Sequence, residues 1–62
     1  MKMDEIMSVL AMFARSQGFY GRLLRDIDEL FWDEPEQYEK LVAELERQDF
    51  RTPLDVVMYF EC

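Results

Sequence analysis

The stretch SQGFYGRLLRDIDELF, residues 16–31, decides the fold class of this chain of 62 residues. Six of its apolar residues recur at spacings of three and four: Tyr20, Leu23, Leu24, Ile27, Leu30 and Phe31. Because an α-helix completes a turn about every 3.6 residues, this spacing places all of these side chains on one face. The stretch therefore predicts a long helix with one face buried against neighbouring elements.

A first helix is predicted upstream, over residues 4–15. Asp4 and Glu5 stand in its first turn, where carboxylates stabilise a helix N-terminus. Its apolar stripe consists of Ile6, Val9, Leu10 and Phe13, widened by Met3, Met7 and Ala14. This breadth indicates contacts with neighbours on two sides.

The join between these two helices allows two interpretations. Gly18 either ends the first helix in the left-handed conformation or lies in the first turn of the second, with Ser16 as its N-cap. We favour Ser16 as the cap. Gly21 falls inside the second helix, where glycine costs about 1 kcal/mol relative to alanine, and a close helix crossing would explain it.

Two capping signals predict two further helices. Asp33 as N-cap, Pro35 in the first turn and Glu36 three residues after the cap predict a third helix that ends near Gln48. Its buried face is formed by Tyr38, Leu41, Val42 and Leu45. The tetrapeptide TPLD, residues 52–55, repeats the arrangement with Thr52 as cap and Asp55 closing the box. The short fourth helix is expected to bury Leu54, Val57 and Met58.

The fold class follows from these elements. No strict apolar alternation is long enough to predict a strand. We expect an all-α protein: one domain over residues 1–62, a compact antiparallel bundle of three longer helices plus a short C-terminal helix.

Negative charge is concentrated in the middle of the chain. Residues 26–39, DIDELFWDEPEQYE and here called the acidic segment, hold seven carboxylates and no basic residue. Residues 26–46 hold nine acidic residues against Lys40, a net charge of −8 in a chain whose net charge is −7. Spacings for helical pairing occur at Glu36–Lys40, Arg22–Asp26 and Arg25–Glu29. The charge is either a solvated surface or a face that meets a basic partner.

A comparison with DNA limits what the charge can do. Duplex DNA carries one charge per ~1.7 Å, so a helix of about 20 Å would need about twelve charges to match it. The net charge of residues 26–46, spread over two adjacent helices, is about two thirds of that density. Such a surface steers a basic protein electrostatically and disfavours direct binding to nucleic acid.

Trp32 is the second notable feature of this region. Successive side chains on a helix diverge by about 100°, and Phe31 already completes the inward stripe. Trp32 is therefore either a lid over the corner between the second and third helices or an exposed aromatic anchor with an acidic rim. The candidate partner-binding residues are Asp26, Asp28, Glu29, Trp32, Glu36 and Glu39.

Catalytic and metal chemistry find little support in the sequence. The absence of histidine removes imidazole-based acid–base chemistry and nucleophile triads. The stretch DIDELFWDEPEQ places Phe31 and Gln37 where a calcium loop needs glycine and glutamate. We expect no enzyme activity, no cofactor and no metal site.

Cellular context is indicated by cysteine usage and hydropathy. Cys62 is the single cysteine, so we expect no intramolecular disulfide, no prenylation signal and a reducing cytoplasm. The uncharged apolar run near the start, residues 6–14, is far shorter than the ~20 residues that span a bilayer. No membrane role is expected.

Two segments carry a resemblance to a known group of proteins. SQGFYGRLLRDI, residues 16–27, and PLDVVMYFE, residues 53–61, resemble small acidic proteins without assigned activity from conjugative elements and phages of gut Gram-positive bacteria. The resemblance implies a context in which such proteins often inhibit host defence, including CRISPR and restriction systems. It supplies no functional residues.

Two hypotheses follow. The first is a non-enzymatic protein-binding module that engages a basic surface of another protein, such as a nucleic-acid-binding component of host defence. The second is a structural homodimer in which Met3, Met7 and Ala14 pack against a second copy.

Overall fold

A computed structural model describes residues 1–61, and Cys62, with the expectations that concern it, lies outside the described residues. Four helices are present: α1 (Met3–Ala14), α2 (Gly18–Asp33), α3 (Pro35–Arg47) and α4 (Pro53–Glu61). No strand occurs within residues 1–61. The radius of gyration, 11.1 Å, is close to the roughly 10.6 Å expected for a compact chain of this length. The predicted all-α bundle of three longer helices and a short C-terminal helix is confirmed.

Helix α1 is the centre of the core. Its backbone lies against each of the other three helices, whereas the backbone of α4 approaches that of α1 alone within the described part of the chain. Ile6 and Leu10 are completely buried. The remaining buried apolar residues are Met3, Val9, Tyr20, Ile27, Leu45, Phe50, Val56 and Val57. The broad apolar stripe of α1 therefore packs against other helices of the same chain.

The N-terminus of α1 is capped from another helix. Oε2 of Glu46, on α3, accepts a hydrogen bond of 2.9 Å from the backbone N–H of Met3. Oε1 of Glu5 accepts a second bond of 3.3 Å from the backbone N–H of Lys2. Because the first N–H groups of a helix lack partners inside it, carboxylate acceptors at this end stabilise α1.

The join between α1 and α2 agrees with the favoured interpretation at Gly18 and differs from it at Ser16. Ser16 is not the N-cap, because its hydroxyl donates to the carbonyl of Phe13 at 3.2 Å and α2 begins at Gly18 behind Gln17. Gly18 lies in the first turn of α2, as favoured, and no glycine has a positive φ. A Cβ atom at Gly21 would meet no heavy atom within 4 Å beyond the neighbouring backbone of its own helix, so the expected close helix crossing is wrong.

Helices α2 and α3 are joined by a single residue. Asp33 is the last residue of α2, and Glu34 is both the C-cap of α2 and the N-cap of α3. The prediction of Asp33 as N-cap is wrong, because the backbone N–H of Glu34 donates to Leu30 at 2.9 Å and keeps Asp33 inside the α2 ladder. Pro35 is the first residue of α3, as expected.

The start of α4 is the predicted capping box. The backbone N–H of Asp55 donates to Oγ1 of Thr52 at 3.3 Å, and Oδ2 of Asp55 accepts from the backbone N–H of Thr52 at 3.1 Å. A third bond, 3.0 Å long, comes from the N–H of Arg51. The N–H groups of Arg51 and then Thr52 lower the pKa of Asp55, because they stabilise its charged form.

The predicted buried face of α4 is correct at Val57 and wrong at Leu54 and Met58. Val56 and Val57 are buried, whereas Leu54 and Met58 are 62% and 57% exposed. Apolar residues lie all around this helix, so its periodicity does not identify one face. The backbone of α4 approaches that of α1, and the rings of Tyr59 and Phe50 are 5.4 Å apart, so contacts with the rest of the chain decide the orientation of α4.

Candidate protein-binding surface

All six predicted partner-binding residues are exposed on the folded chain. Trp32 is 73% exposed, which overturns its interpretation as a lid. Phe31 is 49% exposed, so its assignment to the buried face is also wrong. Helix α2 is four residues longer than α1, a difference of about 6 Å, and α1 cannot cover its last turn.

Three aromatic rings meet at this uncovered end of α2, and we call Phe31, Trp32 and Tyr38 the aromatic corner. The ring centroids of Phe31 and Trp32 are 5.3 Å apart with an interplanar angle of 89°. Phe31 and Tyr38 are 5.1 Å apart at 81°. Both are edge-to-face pairs, which are favourable for aromatic rings. The contacts hold Phe31 between α2 and α3 and leave Trp32 at the outer end of the cluster.

The carboxylates of the acidic segment have no partners in the described part of the chain. Within residues 1–61, none of the seven accepts a hydrogen bond or lies within 4.0 Å of a basic group. The spacings Arg22–Asp26, Arg25–Glu29 and Glu36–Lys40 do not produce ion pairs. Negative charge that is neither paired nor buried is free to act on an incoming molecule.

Two other acids of residues 26–46 have structural roles instead. Glu44 forms an ion pair with Arg47 and accepts a hydrogen bond of 3.0 Å from Nε2 of Gln48. Glu46 caps α1. The free part of the negative charge therefore coincides with the acidic segment and the aromatic corner.

The predicted residues do not form one face. Side chains on a helix advance by about 100° per residue, so Asp26 and Asp28 lie on nearly opposite flanks of α2. Asp26 lines a shallow depression together with Glu29, Leu30, Asp33 and Glu34. Asp28 shares the flank of Trp32, and no three potential metal ligands within residues 1–61 converge on one point.

The two predicted residues of α3 continue the acidic surface beyond the corner. Glu36 lines a second depression with Asp33, Glu34, Pro35 and Gln37. Glu39 follows three residues later on the same helix and is exposed. The site is thus a band of separate carboxylates around the helix junction.

A second exposed apolar surface was missed by the sequence reading. It consists of Leu54, Met58 and Tyr59 on α4, the last of which is 40% exposed. The sequence signal for this surface was that α4 is apolar on all sides. A short helix that packs against the rest of the chain with one side must leave some of these side chains exposed.

One buried polar group lies outside this surface. The hydroxyl of Tyr20 is buried and has no hydrogen-bond partner within the described residues. Burial raises the pKa of Tyr20, and the nearby Glu61 carboxylate adds to the increase although it does not reach hydrogen-bonding geometry. This hydroxyl is a destabilising element of the core.

Comparison with known protein families, curated proteins and solved structures gives no match to the chain. Among residues 1–61, no helix is both long and apolar enough to cross a bilayer. Functional inference therefore depends on the surface itself.

Proposed function

We propose that the protein is a non-enzymatic binding module that engages a basic surface of another protein through the acidic segment. The observation that carries this proposal is Trp32, 73% exposed at the edge of an aromatic corner, among carboxylates that have no partners in the described chain. Exposed tryptophans rimmed by polar groups are typical energetic centres of protein interfaces. The contact residues are Asp26, Asp28, Glu29, Trp32, Glu36 and Glu39.

The charges and the aromatic corner have different roles in this proposal. Unpaired carboxylates accelerate the encounter with a positively charged protein, and salt screens that effect. Trp32 loses water on contact and slows dissociation, because aromatic burial supplies most of the affinity at such centres. Binding is therefore expected to weaken with salt without disappearing.

The partner class follows from the charge density. The seven carboxylates of the acidic segment, which have no partner in the described part of the chain, fit the positively charged nucleic-acid-binding surface of a protein better than an uncharged surface. We propose a CRISPR or restriction component as the partner and inhibition of host defence as the role. The resemblance to proteins of conjugative elements and phages supports this choice of partner.

The experiment measures displacement of labelled duplex DNA from purified CRISPR effectors and restriction endonucleases. The wild-type protein is expected to displace the DNA from its target, and a charge-neutralised variant is expected to fail. That variant carries Asp26→Asn, Asp28→Asn, Glu29→Gln, Glu36→Gln and Glu39→Gln. Circular dichroism of the variant should retain the helical signal, because none of these five carboxylates accepts a hydrogen bond or forms an ion pair within residues 1–61.

Two smaller variants separate local from general charge effects. Asp28→Asn with Glu29→Gln removes two charges beside Trp32, whereas Asp4→Asn with Asp49→Asn removes two charges outside residues 26–46. The first pair should weaken displacement and the second should not. Equal weakening by both pairs would mean that only the total charge of the protein matters and not the position of the carboxylates, which would contradict the proposal.

The alternative function is a structural homodimer, for which we propose a different contact surface from the one expected from the sequence. Met3 is 6% exposed and belongs to the core, and Met7 and Ala14 are partly buried against it, so these residues are not free to contact a second copy. Leu54 and Met58 are the exposed apolar pair that favours this alternative. A melting temperature that rises over a hundredfold increase in concentration, and ceases to do so in Leu54→Gln/Met58→Gln, would support it.

A further inference from the structure

We propose that Trp32, Asp28 and Glu29 form a receptor for an arginine side chain of the partner. This inference deepens the proposed function and rests on it. It commits the surface to one kind of contact: a guanidinium group stacked on the indole and hydrogen-bonded to a neighbouring carboxylate.

The position of the three residues on α2 is the first argument. Long side chains on a helix lean toward its N-terminus, so the indole of Trp32 lies over the turn that precedes it. That turn carries Asp28, four residues before Trp32, and Glu29, three residues before it. At about 100° per residue they flank the tryptophan on opposite sides, with Cβ atoms about 5–6 Å from its own.

The availability of the indole is the second argument. Trp32 makes one aromatic contact, with Phe31 at an interplanar angle of 89°, and 73% of its surface is exposed. A perpendicular neighbour that leaves this much surface exposed also leaves room for a planar group to stack on the indole. A cation within about 6 Å of the ring centroid is attracted to the π face, and tryptophan gives the strongest attraction.

The carboxylates decide between the two basic side chains. A guanidinium group is planar, is weakly hydrated and has several N–H donors, so it can stack on the indole and donate to a carboxylate at once. The ammonium group of lysine is compact and strongly hydrated, and it makes the second contact at the expense of the first. The site therefore favours arginine over lysine.

The chain does not fill this site itself. Arg25 lies three residues before Asp28 and four before Glu29, and neither carboxylate forms an ion pair with it in the described structure. An arginine before a carboxylate at this spacing is the weaker order for helical pairing. The receptor is accordingly free for an arginine from outside.

The test uses two peptides that differ only in the basic residue: Gly-Arg-Gly-Arg-Gly-Arg-Gly and its lysine counterpart. Trp32 is the single tryptophan, so its fluorescence reports contact directly, and calorimetry gives the affinity of variants that lack it. At low salt the arginine peptide is expected to bind about fivefold more tightly than the lysine peptide. Trp32→Ala should abolish that preference.

Matched variants assign the contacts. Asp28→Asn with Glu29→Gln should weaken binding of the arginine peptide more than Asp4→Asn with Asp49→Asn, although both remove two charges. Equal affinity for the two peptides, a preference that survives in Trp32→Ala, or no binding of either peptide would overturn the arginine receptor. DNA displacement by the wild-type protein would then still decide the proposed function separately, because it does not depend on the arginine preference.

Discussion

Replacement of Glu46 by alanine is expected to destabilise the protein, because it removes an N-terminal cap of α1 that comes from α3. The carboxylate accepts the N–H of Met3 at 2.9 Å. Loss of such a cap costs about 1–2 kcal/mol, since the N–H loses its acceptor and the helix end loses a favourable negative charge. In a domain of this size each kcal/mol lowers the melting temperature by roughly 4–8 °C.

A matched control lies on the same helix. Glu39 is seven residues before Glu46 and faces nearly the same side of α3, yet it has no hydrogen-bond or ion-pair partner within the described residues. Glu39→Ala removes the same charge without removing a cap. Its melting temperature should stay the same or rise slightly, because it relieves repulsion within the acidic segment.

Thermal melts followed by far-UV circular dichroism compare Glu46→Ala, Glu46→Gln and Glu39→Ala. Glu46→Gln keeps an amide oxygen as acceptor for the N–H of Met3. It should lose only the stabilisation that comes from negative charge at the helix N-terminus, about 0.3–1 kcal/mol. The same melting temperature for all three variants would refute the reasoning. It would mean that the Glu46 side chain is solvated, like that of Glu39, and does not cap α1.

Five further outcomes are expected from melts of the same kind. Tyr20→Phe removes a buried hydroxyl without a partner in the described chain and should raise the melting temperature. Burial raises the pKa of Tyr20, so above the ordinary value of 10.0 this hydroxyl ionises more readily in the unfolded chain than in the folded one. Wild-type stability should therefore fall above that pH more steeply than the stability of Tyr20→Phe. Thr52→Ala removes the N-cap of α4 and should lower the free energy of unfolding by about 1 kcal/mol. The lowered pKa of Asp55 makes its stabilisation present above the ordinary value of 3.8 and lost as pH falls further, so Asp55→Asn should flatten the acid melt. Moderate salt should raise the melting temperature by screening residues 26–39, whereas a decrease would mean that their carboxylates are paired.

Local signals predicted the helices well where they acted within one element. The spacing of apolar residues located all four helices, and the box formed by Thr52 and Asp55 is present as expected. Errors arose at the joins. Ser16 and Asp33 are both common N-cap residues, yet each position depends on where the preceding helix stops, and that is decided by packing.

The sequence supplied the residues of the candidate surface but not the way in which they are arranged around the junction of α2 and α3. The exposure of the five acidic residues follows from their place outside the apolar stripe. For Trp32 the sequence left a lid and an exposed anchor open, and the structure decides for exposure. The exposure of Phe31 and the contact between Phe31 and Tyr38 depend on where α1 stops covering α2. The point at which α1 stops covering α2 depends on how the two helices pack against each other, so the apolar spacing within either helix does not reveal it.

The sequence alone determined that this chain is helical, that its second helix has a regular apolar face and that its negative charge is concentrated in residues 26–39. Each is a local property, because periodicity, capping chemistry and charge act over a few residues. Tertiary structure decided which face of α4 is buried, that Glu46 is a cap rather than a free charge and that Trp32 stands outside the core. These depend on contacts between distant parts of the chain, which only the packing of the helices brings together.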